Sequence, residues 1–200
     1  MKHAAIAARM HSGWGVLVAV SIHDGVIQVL DRRRVALTTP GTPGANQPYH
    51  FAKNLTPSDA KRFIGNCFAA SKSLALRAVR DVVNELGGRQ YRVIGSAVLL
   101  ASGRPLPLLE KILASHAAIH TAEGEFFREV FSKACLELAF PVAGFRERDL
   151  DKCLNEAFGK ISAKIKQQVL TAGRSLGPPW TTDQKNAALG ALLVLAHDKG

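Results

Sequence analysis

The spacing of hydrophobic and polar positions changes several times along the chain, and each change marks an element. Ala4 to Met10 and Trp14 to Ile22 are apolar and partly β-branched, and His23-Asp24-Gly25 carries turn chemistry before Val26 to Leu30. That pattern predicts strands joined by a hairpin. Asp31-Arg32-Arg33-Arg34 interrupts the last arm before Val35 to Leu37 resume it, which places the arginines on a solvated strand face or in a bulge. Thr39 to Pro48, rich in proline and glycine, predicts a loop, and Tyr49 to Phe51 reads as a short extended piece, a further strand.

Helical spacing follows. Thr56-Pro57 is a good helix start, because a hydroxyl caps free amides and proline tolerates the first helical position. The helix is predicted to run to Gly87-Gly88, with Phe63, Cys67, Leu74, Ala78 and Val82 on its apolar stripe. Tyr91 to Leu100 is a near-continuous hydrophobic run of the kind buried on both faces of a sheet, closed by Gly103 and Pro105. Leu106 to Leu138 reads as helix broken near Ile119 to Gly124, where Thr121 would cap. Its later part puts Phe127, Val130, Phe131, Ala134, Cys135 and Leu138 on a core face. A short strand from Pro141 to Phe145, a helix from near Asp149, and a capping box at Thr181-x-x-Gln184 opening a last Ala- and Leu-rich helix complete the pattern. Strands first, then helix, buried strand, helices, strand and helix give an α/β fold. Its mixed sheet has antiparallel edge strands followed by parallel strands, flanked by helices, in one domain spanning residues 1–200.

Composition bounds what such a domain can do. With 47% hydrophobic and 21% charged residues the chain is expected to be globular, and its net charge of +10 favours polyanionic partners. Three scattered cysteines, Cys67, Cys135 and Cys153, show no Cys-x-x-Cys spacing and no disulfide framework, which points to a reducing compartment, the cytoplasm. Lys2 and Arg9 before the run Trp14 to Ile22 have the outline of a signal sequence, but that run is Val-rich and strand-like. No apolar run reaches the length of a membrane span, so no membrane partner is expected. Gly-x-Ser-x-Gly, a phosphate-binding glycine loop and a dinucleotide fingerprint are all missing, which leaves nucleophilic and nucleotide-cofactor chemistry without support.

Ser12-Gly13-Trp14-Gly15-Val16-Leu17, the stretch Glu125 to Asp149, and Asp183-x-x-Asn186-Ala187 resemble a strand, a helix–strand–turn unit and the last helix of the ribonuclease H-like superfamily, nearest to RuvC-type Holliday-junction resolvases. The pattern from Gly13-Trp14 to Gly177-Pro178-Pro179-Trp180 also resembles a group of bacterial proteins, a likeness that brings no activity with it. The resolvase resemblance implies a ribonuclease H-like mixed sheet and carboxylates from the first strand, the fourth strand and the final helix, holding two divalent ions against a phosphate. Here the first strands and Tyr91 to Leu100 contain no acid, and Asn186 stands where a second acid of the last helix is expected. The resemblance therefore implies the fold with most of its catalytic acids gone.

Several constellations remain to be placed. His116, His120 and Glu123 fall at helical spacings of four and three, a plausible ligand set for zinc or ferrous iron if one helix carries them; the plainer reading is an exposed, capped turn. Arg32, Arg33 and Arg34 suit phosphate contact, although in a strand at most two of them share a face. Arg128, Arg146 and Arg148 would join that patch through the fold. Trp180 either stacks on a base or anchors a loop on the core, with Lys185 close behind it. Glu147 and Asp149 follow a strand end, where α/β sheets carry function. Three functions follow. The first is binding of structured DNA or RNA without two-metal catalysis and without a cofactor. The second is a nuclease using Glu123, Asp149 and Asp183 with magnesium or manganese. The third is an assembly module that pairs with another subunit or with a second copy of itself.

Overall fold

In the computed structural model, which describes residues 1–101 and 105–197, the chain runs β1 (Lys2–His11), β2 (Trp14–His23), β3 (Val26–Ala36), α1 (Pro48–Ala52), α2 (Pro57–Gly88) and β4 (Tyr91–Leu100). It continues through α3 (Leu109–Leu113), α4 (His116–Glu137), β5 (Val142–Arg146), α5 (Leu150–Phe158), α6 (Ser162–Thr171), α7 (Gly173–Leu176) and α8 (Thr182–His197). The sheet order is β3-β2-β1-β4-β5. β1 to β3 pair antiparallel, and β4 and β5 add parallel to β1, as the element order predicts.

Alternation along β1 sets the two layers. Ala4, Ile6, Ala8 and Met10 enter a core cluster with α2 and α4, while Ala5 and Ala7 enter a second with α8, α5 and α6. Successive strand side chains point to opposite faces, so a strand buried on both sides must be apolar throughout its length. The second cluster is closed by α8, whose residues Ala187 to Leu193 are all buried. Gly190 permits its close approach, since a Cβ there would lie 3.3 Å from Leu99 Cδ2 and 3.5 Å from Ala7 Cβ. On the other face, α2 buries Ser71, Ala75, Val79, Val82 and Leu86. This stripe is one position off the expected one at Leu74 and Ala78, which are half-buried.

Asp31 to Arg34 do not interrupt β3: they pair regularly with β2, so the arginines lie in the strand, and the bulge falls just before them. Ala19 pairs with Asp31 but Val20 pairs with Val29, leaving Leu30 as the extra residue. The Leu30 carbonyl accepts from the Arg89 guanidinium at 2.8 Å.

Two expectations are corrected. Tyr49 to Phe51 form the short helix α1, not a strand; Pro48 opens it, and the amides of Tyr49 and His50, unpaired in a first helical turn, donate to Glu123 at 2.8 and 3.0 Å. The break in the second helical stretch falls at Ser115, which caps α4 by accepting from the Ala118 amide, and not at Thr121, whose hydroxyl bonds back to Ala117. Gly103, expected to close β4 with Pro105, lies outside the described residues. Among the described residues no helix is long and apolar enough to cross a membrane.

Candidate functional site

The carboxyl ends of parallel strands are where open α/β sheets place their ligands, and here they carry a polar network. Arg9 and His11 follow Ala5 and Ala7 on the α8 face of β1, so the apolar alternation turns polar at the strand end. The Arg9 guanidinium lies between two carboxylates, with Nε 2.9 Å from Glu147 Oε1 and Nη1 2.9 Å from Asp183 Oδ1. Glu147 follows β5 directly, and Asp183 sits in the first turn of α8. His11 Nε2 lies 2.8 Å from Asp183 Oδ2 and 2.9 Å from Arg9 Nη1, donating to the first or accepting from the second according to its tautomer. Asn186 Nδ2 donates to Glu147 Oε2 at 3.2 Å. The capping box at Thr181 holds this end of α8 in place: the Thr181 amide donates to the Gln184 side chain and the Asp183 amide to the Thr181 hydroxyl.

From this network an aromatic step leads outward. His11 stacks on Trp14 with ring centroids 4.2 Å apart, and the exposed Arg34 lies 4.0 Å over the Trp14 ring. Trp14 and Arg34 line a cleft of about 320 Å³ with Ser12, Thr38, Thr42 and Asn46.

The other expected site residues are distributed as follows. Arg32 and Arg34 share the α8 face of β3 while Arg33 faces α2, consistent with at most two lying together. Arg32 is committed to the fold, donating to the carbonyls of Leu176, Gly177, Pro178 and Pro179. Arg33 bonds Glu85 and Asp31, which hold its guanidinium further toward the charged form. Arg128 is half-buried and donates to the Leu99 carbonyl and to Glu125. Arg146 pairs with Asp149 at 2.6 Å, and Arg148 is 3.8 Å from the same carboxylate. Trp180 anchors its loop: the indole donates to the Val169 carbonyl at 2.8 Å and the ring covers Gly173, where a Cβ would lie 2.7 Å away. Lys185 follows Asp183 on α8 and is half-buried.

Glu123, Asp149 and Asp183 are not brought together. Asp149 pairs with arginines after β5, Asp183 with Arg9 and His11, and Glu123 is buried in α4 against α1. Burial pushes the Glu123 carboxyl up to about 7, against the amides of His50 and Tyr49 and the nearby His120, which favour its charged form. Among the described residues the histidine, cysteine and acid side chains that converge closely enough to share an ion are His50, His116 and His120. His50 thus stands where Glu123 was expected in that set.

No protein-family model and no curated protein matches the chain. Among solved structures it is similar to Thermus thermophilus RuvC in complex with a Holliday junction substrate, at 14% identity and a TM-score of 0.50, with 98% of this chain and 95% of that chain covered. The fold is ribonuclease H-like. A second Thermus thermophilus RuvC structure aligns at 16% identity and a TM-score of 0.49, covering 100% of this chain and 96% of that one. A Ppx/GppA family member from Aquifex aeolicus aligns at 10% identity and 0.37, covering 80% of this chain and 41% of that one.

In a ribonuclease H-like fold the resemblance draws metal-binding acids from β1, β4 and α8. The donor set here does not fit two magnesium or manganese ions. On the α8 face β1 presents a guanidinium and an imidazole, β4 presents Ala97 and Leu99, and the two carboxylates at hand, Glu147 and Asp183, already share the charge of Arg9. Hard divalent cations need several oxygen ligands and gain nothing from a neighbouring fixed cation. Sequence reading missed Arg9 and His11. Their signal was present as the change from alanine to charged and polar side chains at every second position of an otherwise apolar strand.

Proposed function

We propose that this ribonuclease H-like protein binds structured nucleic acid through the strand-end face around Arg9, Trp14 and Arg34, and that Arg9 takes over the charge-neutralising part which metal ions play in resolvases of this fold. The observation that carries the reading is the Arg9 guanidinium between Glu147 and Asp183. With it in place one of the two acidic charges is balanced permanently, and the surrounding cations Arg34, Arg146, Arg148 and Lys185 outnumber the charge left over together with Asp149. Such a surface attracts phosphates without the two-ion clamp that in-line hydrolysis uses. The Trp14 ring, held between His11 and Arg34, supports the Arg34 guanidinium at the edge of the cleft, where it can meet a phosphate. A neighbour of the same fold solved with a Holliday junction makes a four-way DNA junction the first ligand to try.

The test is a titration of labelled junction, duplex, single-stranded DNA and structured RNA, followed by anisotropy. Binding is expected to weaken by at least tenfold as salt rises from about 50 to 200 mM. Arg34→Glu and Trp14→Ala are expected to weaken it at fixed salt. No binding to any of these polymers at low salt refutes the reading, and cleavage that appears with magnesium or manganese refutes its metal-free part.

A further inference from the structure

On the α2 and α4 side of the sheet, away from Arg9, three imidazoles converge. His116 and His120 are four residues apart in the first turns of α4 and so share one helix face, with their Nε2 atoms 3.0 Å apart. α1 brings in His50, whose ring centroid is 5.6 Å from that of His116 and 4.8 Å from that of His120. One ligand nitrogen from each ring lies within 4.8 Å of the other two. Nitrogens bound to one tetrahedral zinc at ordinary Zn–N lengths stand about 3.3 Å apart, so small side-chain rotations bring the set onto an ion. His116 and His120 are exposed, which gives the ion access.

Glu123 backs the cluster. Its Oε1 accepts from the amides of Tyr49 and His50 and lies 3.4 Å from His50 Nδ1. Its Oε2 is buried and has no hydrogen-bond partner among the described residues, and the residue is only 4% exposed. A carboxylate in this position fixes the tautomer of a metal-bound histidine and raises its basicity, leaving the far nitrogen for the metal. Among the described residues it also has no lysine or arginine partner, so a cation on His50 would supply positive charge there. We propose that His50, His116 and His120 form a zinc-binding site with Glu123 as its outer carboxylate. Three protein ligands leave a fourth position for water or another ligand. The ion fastens α1 to the start of α4. Because α1 follows the loop whose Thr38, Thr42 and Asn46 line the cleft beside Trp14, zinc occupancy fixes the far end of that loop.

The experiment uses the untagged full chain, stripped with chelator and titrated with zinc by calorimetry, and with cobalt(II) by visible absorption. One zinc per chain is expected, with the intense visible band of four-coordinate cobalt. The double variant His116→Ala/His120→Ala, whose positions are exposed and tolerant, is expected to lose both signals. Glu123→Gln is expected to weaken zinc binding by about 10–100-fold; should that variant not fold, the double variant decides. No saturable zinc binding by the wild type overturns the proposal, and so does stoichiometric binding of unchanged affinity in the double variant. Neither result bears on nucleic-acid binding at the strand ends, which is measured separately.

Discussion

Replacing Arg9 by aspartate converts the strand-end network into the arrangement it lacks. The substitution removes a guanidinium that bonds Glu147 and Asp183 at 2.9 Å each and adds a third carboxylate between them. The side chains are 26%, 28% and 21% exposed, between surface pairs worth at most about 1 kcal/mol and buried pairs whose breakage costs about 3–5 kcal/mol. For the two contacts together with the new repulsion, a loss of about 3 kcal/mol is expected. In a chain of this length that lowers the melting temperature by about 10 °C. The same change gives three oxygen donors suited to manganese or magnesium, and an ion present at a hundredfold excess over its Kd returns about 2.7 kcal/mol. Differential scanning fluorimetry of wild type and Arg9→Asp, in chelator and in manganese, reads both terms. With both proteins stripped of zinc beforehand, the wild type is expected to melt at one temperature in either buffer, and the variant to melt low in chelator and recover in manganese. If Arg9→Asp melts with the wild type in chelator, the guanidinium does not hold the carboxylates together. If manganese leaves the variant where it was, this strand end is not the counterpart of a metal site.

Three further outcomes separate structural from functional groups. Arg32→Ala, which frees the carbonyls of Leu176 to Pro179, is expected to cost about 2–3 kcal/mol in urea unfolding, whereas Arg34→Ala is expected to leave the midpoint in place and lower only polynucleotide affinity; equal destabilisation by both would contradict the assignment. Gly190→Leu is expected to destabilise by roughly 1–3 kcal/mol or more, because its side chain would enter Leu99 and Ala7; unchanged stability would show that α8 does not press on the sheet as described. Burial pushes the Cys135 thiol up to about 12 and also raises that of Cys67, while Cys153 is partly exposed. Ellman's reagent is therefore expected to label Cys153 promptly at neutral pH and the other two only on unfolding. A folded-state pKa above the unfolded one makes the Cys135 term fully stabilising below the unfolded thiol range of about 8.5. That term is lost as pH rises from there toward 12, so denaturant midpoints should fall at alkaline pH, less so in Cys135→Ala.

Where the chain's own local chemistry decided the outcome, the sequence was sufficient. Thr56-Pro57 opens α2, the near-continuous hydrophobic run from Tyr91 to Leu100 is β4, and Thr181 with Gln184 caps α8. The misreadings share another cause. Tyr49 and His50 have strand-like neighbours, but their amides meet a carboxylate on Glu123, distant in sequence, and that contact selects a helical turn. Ser115 rather than Thr121 starts α4 because both hydroxyls suit a cap and only the packing of Ile119 and Ala122 beside Ile112 chooses between them. Arg9 read as a flank of an apolar run, since its partners Glu147 and Asp183, just after β5 and in the first turn of α8, are distant in sequence. His50 likewise belonged to a misread strand, so the imidazole cluster showed only the two members that share a helix.

The extra residue in β3 also settles which arginines the protein has to spend. Ile27 and Val29 lean toward α8 before Leu30, yet past it the even-numbered Arg32 and Arg34 do so; one added residue shifts the reading frame of the strand by a single step. Were Leu30 instead paired with Ala19 in an unbroken ladder, the tenants of the two faces would be exchanged, sending Arg33 toward Trp14 while Arg32 and Arg34 turned to the side where Glu85 waits. The loop at Leu176 to Pro179 would lose its tether and the indole its cation together. The tryptophan–arginine pair is thus inherited from an irregularity in hydrogen bonding several residues upstream, and a homologue that kept all these residues but paired them without the bulge would present a different surface.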